Sequence, residues 1–457
     1  MMKELLDKFK SGGLTDDLLK KISSAKKDKE LLENFHKEYF KKDRTIRDTQ
    51  IGFTQKDKTV KDEKGRDRTV KAIRIPISFN KKIVRTSVAF EFGNPVVLKP
   101  SEVNELTEAV EDVWKECRLD SKLQKIKEYQ RSETQSALVF QVKKIAGTEN
   151  KIKCKVLNYK SGSFWPVFDE FGDMVLFVWS FKTKINGKDV ENLWAFDETI
   201  VYKYKKTNSW VLESRDSHSF SKIPVIYFSQ SQPEYDDVKE LIDRYETSVS
   251  KLGASNNYSG SPLLFTKGEV QGMPDRDSDG KMLNAPLGYD EDDKPMYGDA
   301  KFLPHDNAPK SVELEQKTLE NLIYSLSDTP NLSFNNLKGI GNVSGVALEL
   351  MFLGSILKAK MNEGDNRTDI QRIINVIISG ITTKVNMSLK KASEGLHYDV
   401  QFSSILPSDL AGLVTTLTTA VTGNIMSRET AIDLLGKANT DEEMKKIEAE
   451  KKPDEGE

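Results

Sequence analysis

Cysteine and histidine are scarce in this sequence, and their scarcity restricts the chemistry that it can perform. The 457 residues include two cysteines, Cys117 and Cys154, and four histidines. Two cysteines cannot build a disulfide framework or a Cys-rich zinc site. Four histidines leave little material for a catalytic or metal-binding cluster. We therefore predict a chain that needs no metal or other cofactor.

Long apolar runs are also missing. The most apolar stretch, residues 345–357, contains Glu349 and is shorter than the roughly 20 residues that cross a bilayer. The N-terminus begins MMKELLDKFK, without the apolar segment of a secretory signal. We therefore expect synthesis in the reducing cytoplasm and no association with a membrane.

Neither sign of charge is in large excess. Lys and Arg total 69 while Asp and Glu total 71, so the formal net charge is −2, although 31% of the residues are charged. This balance argues against a strongly basic, free-standing DNA-binding protein. The length provides material for about two to four domains with a sizeable core.

Common catalytic motifs are absent as well. The sequence contains no G-x-x-x-x-G-K-[ST] phosphate loop, H-E-x-x-H, C-x-x-C or G-x-S-x-G motif. Asp275, Asp277 and Asp279 resemble the start of an EF-hand loop, but Pro286 occupies the position of the expected bidentate carboxylate. An acidic surface loop explains them better, and they stay a weak candidate for a cation site. These absences argue against the enzyme classes that depend on those motifs.

Helical patterns surround one region that is typical of strands. Apolar residues with helical spacing predict helices over 101–118, with Ser101 as N-cap, over 234–252 and over 310–327. A longer helix is predicted over 344–392, with Gly364 and Gly380 as places where it bends or breaks. Residues 136–228 are rich in β-branched and aromatic residues and predict an antiparallel β-region. The expected class is α+β, mainly helical.

Four segments resemble the portal proteins of tailed bacteriophages, the head-to-tail connectors. They are IPISFNKKIVRTSVAFEFGNPV at 75–96, HSFSKIPVIYFSQS at 218–231 with EYDDVKELIDRYETSVS at 234–250, NVSGVALELMFLGSILKAKMNE at 342–363, and LPSDLAGLVTTLTTAVTGNIMSRETAIDLLG at 406–436. No single segment is decisive, and their order and spacing make the match specific. Residues 1–70, a predicted helical arm and polar loop, carry no useful resemblance.

The resemblance implies a portal-type architecture. It assigns an α/β wing to residues 71–233, the first stem helix to 234–258, a small α/β clip to 259–308 and the second stem helix to 309–330. A tunnel loop over 331–344 and a long tunnel helix with a wing return over 345–400 lead to crown helices and an acidic tail over 401–457. The family implies a ring of twelve identical subunits at one capsid vertex of the virion.

The resemblance also implies the function and partners. Double-stranded DNA would be packaged and ejected through the ring without sequence specificity. The expected partners are the terminase large subunit, a head-tail connector or adaptor protein, and the major capsid and scaffolding proteins. The remaining alternatives are another virion component, such as a minor head or baseplate protein, and a metal-dependent nuclease that uses the acidic residues at 275–299.

Several residues are candidates for these roles. The candidate tunnel-loop contacts to DNA are Asn331, Asn335, Asn336, Lys338 and Asn342. The candidate channel-facing residues of the stem are Lys310, Glu313, Lys317 and Glu320. The candidate partner-binding residues of the clip are Asp290, Glu291, Asp292 and Asp293. The stem and loop together have a nearly neutral charge, which suits a channel because multi-lysine contacts would hold DNA tightly rather than let it slide.

Overall fold

A computed structural model describes most of the chain. The described residues are 2–40, 44–48, 55–61, 65–145, 149–185, 187–259, 263–267, 288–289, 295–296, 299–303, 309–331, 349–403, 405, 410–435 and 440–451. They combine α-helices with antiparallel strands, so the predicted α+β class is confirmed.

The described residues of the N-terminal region pack against a β-sheet of the later chain. The region contains three helices and a hairpin, namely α1 (Met2–Lys10), α2 (Asp16–Ile22), α3 (Lys29–Tyr39), β1 (Lys58–Lys61) and β2 (Asp67–Val70). Phe9 and Ile22 are buried against Trp165 and Tyr204 of a β-sheet. This contact joins residues nearly two hundred positions apart, so no local pattern could reveal it.

Three helices follow the hairpin: α4 (Phe79–Phe92), α5 (Glu105–Cys117) and α6 (Leu119–Glu133). The helix predicted over 101–118 corresponds to α5, but the prediction of Ser101 as its N-cap is wrong. Asn104 caps α5 instead, because its side chain accepts the N–H groups of Leu106 and Thr107 while its own backbone N–H donates to Thr107 Oγ1.

Two antiparallel sheets occupy the predicted β-region. One sheet has the order β11-β4-β5, with β4 (Gln135–Ile145), β5 (Glu149–Leu157) and β11 (Val225–Ser229). The other is a meander of β6 (Ser163–Phe168), β7 (Met174–Ile185), β8 (Lys188–Phe196), β9 (Ile200–Lys206) and β10 (Trp210–Ser217). Ala137, Leu157, Phe164 and Phe177 belong to one buried cluster, which joins the two sheets.

The second half of the chain is mainly helical. Its helices are α7 (Lys239–Ser259), α8 (Pro309–Leu326), α9 (Leu353–Gly380), α10 (Leu410–Thr422), α11 (Arg428–Leu434) and α12 (Thr440–Lys451). Its strands are β12 (Leu263–Lys267), β13 (Gly288–Tyr289), β14 (Pro295–Met296), β15 (Asp299–Leu303) and β16 (Tyr398–Gln401). Strand β16 pairs with β3 (Val97–Pro100), so the chain returns to its first half after α9.

Helix α9 forms the centre of the largest buried cluster. Its isoleucines, including Ile373 and Ile377, pack with α5, α6 and the three-stranded sheet. The predicted break at Gly364 does not occur, because α9 continues through this residue. The α-helical pattern changes after Gly380 to a π-helical turn over Ile381–Val385, so the helical path does not break there. A Cβ atom on Gly380 would lie 2.6 Å from Phe220 Cε1. Gly380 therefore permits a close approach that a larger residue would prevent.

Candidate functional site

The described residues that flank segment 332–348 form a junction, which we call the loop base. It comprises Ser327 and Asp328 after α8, and Ser355 and Lys358 in the first turns of α9. Ser355 Oγ donates to the Asp328 carbonyl at 2.5 Å, and Lys358 Nζ donates to the Ser327 carbonyl at 3.1 Å. These bonds satisfy carbonyls at the end of α8, which helices leave without internal partners. The loop base thus holds the end of α8 directly against the start of α9.

A series of buried charges, which we call the ionic network, connects the loop base to α4 and α6. Lys358 Nζ lies 2.6 Å from Glu234 Oε1. Arg131 of α6 contacts Glu234 at 3.3 Å and Glu91 of α4 at 2.6 Å. Each carboxylate side chain in this network is at most 5% exposed. Arg131 therefore connects α4, α6 and the segment at Glu234 by ion pairs, and Glu234 extends the series to α9.

Helix α9 contributes a second set of donors to Glu91. Asn362 Nδ2 donates to Glu91 Oε1 at 2.8 Å, and Asn366 Nδ2 donates to Glu91 Oε2 at 3.0 Å. Asn366 is buried, so its amide would be costly to leave without an acceptor. The position of α9 relative to α4 is consequently fixed by polar contacts as well as by apolar packing.

The charges of the ionic network favour the ionised state of Glu234. Burial raises the pKa of Glu234, but the charges of Arg131 and Lys358 outweigh this effect and hold the pKa below its ordinary value. Burial likewise lowers the pKa of Arg131, but Glu91 and Glu234 raise it further, so the net shift is upward. Glu234 and Arg131 therefore favour each other's charged state, and removal of either would leave the other without its ion-pair partner.

A second buried site, which we call the Arg44 cluster, joins the N-terminal region to α7. Arg44 is 1% exposed and lies among three carboxylates. Its Nε lies 2.9 Å from Glu246 Oε1, its NH1 3.5 Å from Glu38 Oε2, and its NH2 3.4 Å from Asp243 Oδ1. Glu246 also accepts the backbone N–H of Ile77 at 2.6 Å, just before α4.

The Arg44 cluster contains more negative than positive charge. Burial raises the pKa of Glu246 to about 7, although Arg44 and the Ile77 N–H act in the opposite direction. Burial also raises the pKa values of Glu38 and Asp243. The guanidinium group of Arg44 therefore offsets only part of the unfavourable burial of three carboxyl groups.

The predicted channel-facing residues divide into two environments on α8. Lys310, Glu313 and Lys317 are exposed. Glu320 is half-buried and accepts a hydrogen bond from Asn331 Nδ2 at 3.3 Å, so it supports the chain as it leaves the loop base. Opposite charges thus alternate on one exposed stretch of α8, whereas Leu319 and Ile323 of the same helix are buried.

An apolar surface, which we call the apolar band, runs along α8 and the beginning of α9. Its most exposed members are Met361, at 85%, and Leu314, at 67%. Leu326, Leu357 and Met361 line a groove of about 420 Å³ beside the loop base. The exposed apolar residues of the band are Leu314, Leu322, Leu326, Leu350, Met351, Leu353, Leu357 and Met361. Exposed apolar side chains that share a groove, as Leu326, Leu357 and Met361 do, mark a candidate interaction site.

Many of the predicted site residues lie outside the described residues. They are Asn335, Asn336, Lys338 and Asn342 of the tunnel loop, Asp290, Glu291, Asp292 and Asp293 of the clip, and Asp275, Asp277 and Asp279 of the weak cation site. Among the residues that the structure does describe, no group of three His, Cys, Asp or Glu side chains is placed to hold a metal ion. Within the same residues, no helix is long and apolar enough to cross a membrane.

The sequence predicted neither the ionic network nor the Arg44 cluster. Arg44 lies 202 positions from Glu246, and Arg131 lies 103 positions from Glu234. In a chain with 31% charged residues, no local pattern distinguishes these partners from ordinary surface charges. A clue is available only for Glu234, because it is the first residue of the strongly patterned helix predicted over 234–252.

Comparison with solved structures gave similar chains at low sequence identity. The chain is similar to one in "Neck of native GTA particle computed with C12 symmetry", with a TM-score of 0.42 and 9% identity, over 78% of this chain and 91% of that one. Chains in "Neck of empty GTA particle computed with C6 symmetry" and "Virion of native gene transfer agent (GTA) particle" gave TM-scores of 0.41 and 0.39. Their identities are 12% and 11%, and each match covers 78% of this chain and 88% of the other. No curated protein sequence matched the chain.

Comparison with protein families gave a match over nearly the whole length. Residues 18–457 match the family described as "Phage portal protein, SPP1 Gp6-like". The match includes all four segments on which the resemblance depended, and it extends into the N-terminal region, where the sequence had offered none. The resemblance to portal proteins is confirmed, and the chain belongs to the SPP1 Gp6-like family of phage portal proteins.

Proposed function

We propose that the chain is the repeating subunit of a ring at one capsid vertex, through which double-stranded DNA is packaged and later ejected. The observation that carries this proposal is the apolar band on α8 and α9. A single subunit leaves these side chains in water, whereas a neighbouring copy would bury them. Burial of one leucine side chain contributes about 1.5–3 kcal/mol. Head-to-tail contacts between identical copies form a closed ring when the rotation between them closes.

The helix pair supports an assignment of the stem. Helices α7 and α8 correspond to the two stem helices, with the clip between them at 259–308. Arg244 of α7 contacts Glu315 of α8 at 2.5 Å, which ties the pair together. The wing then comprises residues 71–233, the tunnel loop 331–344, the tunnel helix and wing return 345–400, and the crown and tail 401–457. This division remains part of the proposal.

The charges on α8 suit a channel in which DNA moves. Lys310 and Lys317 alternate with Glu313 on its exposed surface. A wall of this kind offers phosphates few consecutive cations, so few counterions are released and DNA is held weakly. Balanced charge over the whole chain supports the same interpretation, because a strongly basic ring would retain DNA rather than pass it.

The tunnel loop would provide the closest contacts with DNA. We assign to Asn331, Asn335, Asn336, Lys338 and Asn342 nonspecific contacts with phosphates that restrain backward slippage. Lys338 is the single lysine between residues 331 and 344. Repeated around a ring, it would provide one narrow belt of positive charge. The loop base supports this role, because it anchors the helices from which the loop departs and to which it returns.

Replacement of Lys338 with Glu is expected to reduce the DNA retained per particle by at least about half, because each subunit would now repel phosphates. The measurement is the quantity of DNA in particles assembled from the variant chain. Lys446→Glu is the matched control, since Lys446 is an exposed lysine of α12, remote in sequence from the loop. Unchanged packaging and retention in Lys338→Glu particles would contradict the role of Lys338.

Several protein partners follow from the same proposal. The clip would meet the terminase large subunit during packaging and a connector or adaptor protein afterwards. Asp290, Glu291, Asp292 and Asp293 form an acidic run that could steer a basic partner surface. The major capsid and scaffolding proteins would contact the outside of the ring. The chain itself would be structural rather than catalytic, with ATP hydrolysis supplied by the terminase.

The mass of the native assembly tests the proposed ring. Twelve copies of a 51.7-kDa chain give about 620 kDa, and negative-stain images should show a central hole. A single chain that cleaves DNA when Mg²⁺ is added would instead support the nuclease alternative. A large assembly without a central channel would favour another virion component. Either result would overturn the ring.

A further inference from the structure

The two cysteines of the chain meet in the structure. Cys117 is the last residue of α5. Cys154 lies in β5, 37 positions later in the sequence. Cys154 Sγ lies 4.0 Å from the Cys117 carbonyl oxygen, and Cys117 Sγ lies 3.5 Å from the Ile152 carbonyl oxygen. Both residues are free thiols. The fold has therefore brought together the whole thiol content of a 457-residue chain.

A lysine stands beside one of these thiols. Lys122, in the first turn of α6, places its Nζ 3.0 Å from Cys154 Sγ and 3.0 Å from the Cys154 carbonyl oxygen. A hydrogen bond with Cys117, together with the hydrogen bond and charge of Lys122, lowers the pKa of the Cys154 thiol to about 7. The same contact with Cys154, and burial, raise the pKa of Cys117. The pair thus consists of one activated thiol and one thiol held protonated.

Accessibility separates the two thiols in the same way. Cys117 is 3% exposed, while Cys154 is only partly buried at the edge of the main core. Cys154 is therefore the more accessible residue of the pair. An activated, reachable cysteine beside a buried second cysteine is the arrangement of a reactive thiol and its resolving partner.

We propose that Cys117 and Cys154 form a reversible intrachain disulfide, with Cys154 as the attacking thiol, Cys117 as the resolving thiol and Lys122 as the residue that positions and activates Cys154. The oxidant is a low-molecular-weight disulfide of the glutathione type. No metal or protein partner is required. The bond would link the end of α5 to β5 within the largest buried cluster of the protein.

The reaction proceeds in two balanced exchange steps. The Cys154 thiolate attacks one sulfur of glutathione disulfide, forms a mixed disulfide and releases one glutathione thiolate, which takes a proton. Cys117 then loses its proton and attacks the Cys154 sulfur, which releases the second glutathione. Two protein thiols are oxidised to one disulfide, and one glutathione disulfide is reduced to two glutathione thiols.

The disulfide would stabilise the region of β5 that packs against the end of α9. Ile152, two residues from Cys154, would lie 2.9 Å from a Cβ atom on Gly380, so β5 and the end of α9 are in close contact. The timing of oxidation rests on the proposed function. A virion subunit is assembled in a reducing cytoplasm and later leaves the cell, so the dithiol form would serve assembly and the disulfide form would stabilise the released particle.

The test uses the purified full-length chain in buffers with different ratios of reduced to oxidised glutathione. After alkylation and digestion, mass spectrometry should detect a peptide pair linked through Cys117 and Cys154, two hydrogens lighter than the separate peptides and lost on reduction. The oxidised chain should melt about 5 °C higher than the reduced chain. Separately alkylated or glutathione-modified cysteines at every ratio, without the linked pair, would overturn the proposal.

Variants test the assigned roles. Cys117→Ser should stop the reaction at a mixed disulfide between Cys154 and glutathione, whereas Cys154→Ser should leave Cys117 unmodified. Lys122→Met should slow glutathione exchange about tenfold at pH 7 and much less at pH 9.5, where Cys154 is ionised without help. Lys125→Met is the control, since Lys125 is exposed on the same helix. Equal rates for both lysine variants at pH 7 would contradict the role of Lys122.

The oxidation experiment is independent of ring formation. Linkage of the two peptides is measured in each chain, whatever its assembly state, and the native mass is measured on the same sample. A chain that forms rings without the disulfide contradicts only the thiol proposal. A chain that forms the disulfide without rings contradicts only the proposed function.

Discussion

Arg44→Met is expected to lower the free energy of unfolding by about 3–5 kcal/mol, the range for loss of one partner from a buried ion pair. The change leaves Glu38, Asp243 and Glu246 buried without their guanidinium partner. The unpaired carboxyl groups would then take up protons more readily, so the loss should be larger at pH 8 than at pH 5.5. Thermal unfolding of the variant and the parent at both pH values provides the measurement.

Two further variants identify the cause of that loss. Arg47→Met removes an exposed arginine three residues away, so we expect a change within about 0.5 kcal/mol. Adding Glu246→Gln to Arg44→Met should recover part of the stability, because one of the unpaired carboxylates becomes a neutral amide. If the double variant is less stable than Arg44→Met at pH 8, repulsion among the buried carboxylates is not the cause.

Leu357→Asp is expected to abolish ring assembly while the single chain remains folded. Leu357 is 55% exposed, so its replacement should change the stability of one subunit little. In a ring, the same position would place an unpaired carboxylate in every subunit contact, at a cost of about 2–4 kcal/mol for each. Native mass spectrometry should therefore find single chains under conditions in which the parent chain forms rings.

A matched control separates the apolar band from helix α9 in general. Thr368→Asp introduces the same charge at an exposed position three turns further along α9 and should leave assembly intact. Circular dichroism spectra of both variants should match that of the parent. Rings of normal mass from Leu357→Asp would show that the apolar band lies outside the subunit contact, and would remove the observation on which the proposed function depends.

The parts of the fold that follow from local pattern were predictable from sequence. The apolar stripes of α5, α7 and α8 predicted helices close to those observed, and the aromatic-rich region at 136–228 predicted strands that the structure contains. Helix ends were less predictable, because Ser101 and Asn104 are both good capping residues. The choice depends on Thr107, which completes a capping box only with Asn104.

The candidate site was predictable only where its residues lie together in sequence. Lys310, Glu313 and Lys317 follow one another along α8 and are exposed, and their channel-facing role stays a prediction. The environment of Glu320 differs, because Asn331, which follows the end of α8, donates a hydrogen bond to it. The ionic network and the Arg44 cluster could not be predicted, since each joins side chains from elements whose relative positions are set by the entire fold.

The contact between the first helix and the five-stranded sheet has a consequence for the order of folding during translation. Tyr204 Oη donates a hydrogen bond to the backbone carbonyl of Phe9, which lies 195 positions earlier. At about 5–20 residues per second, the ribosome needs about 10–40 s to add the strands that cover α1. Until β6 to β9 have emerged, the apolar residues of α1 and α2 that have left the ribosome lack the complete surface that buries them. Chaperone binding to the nascent chain should therefore be greatest before β9 has emerged.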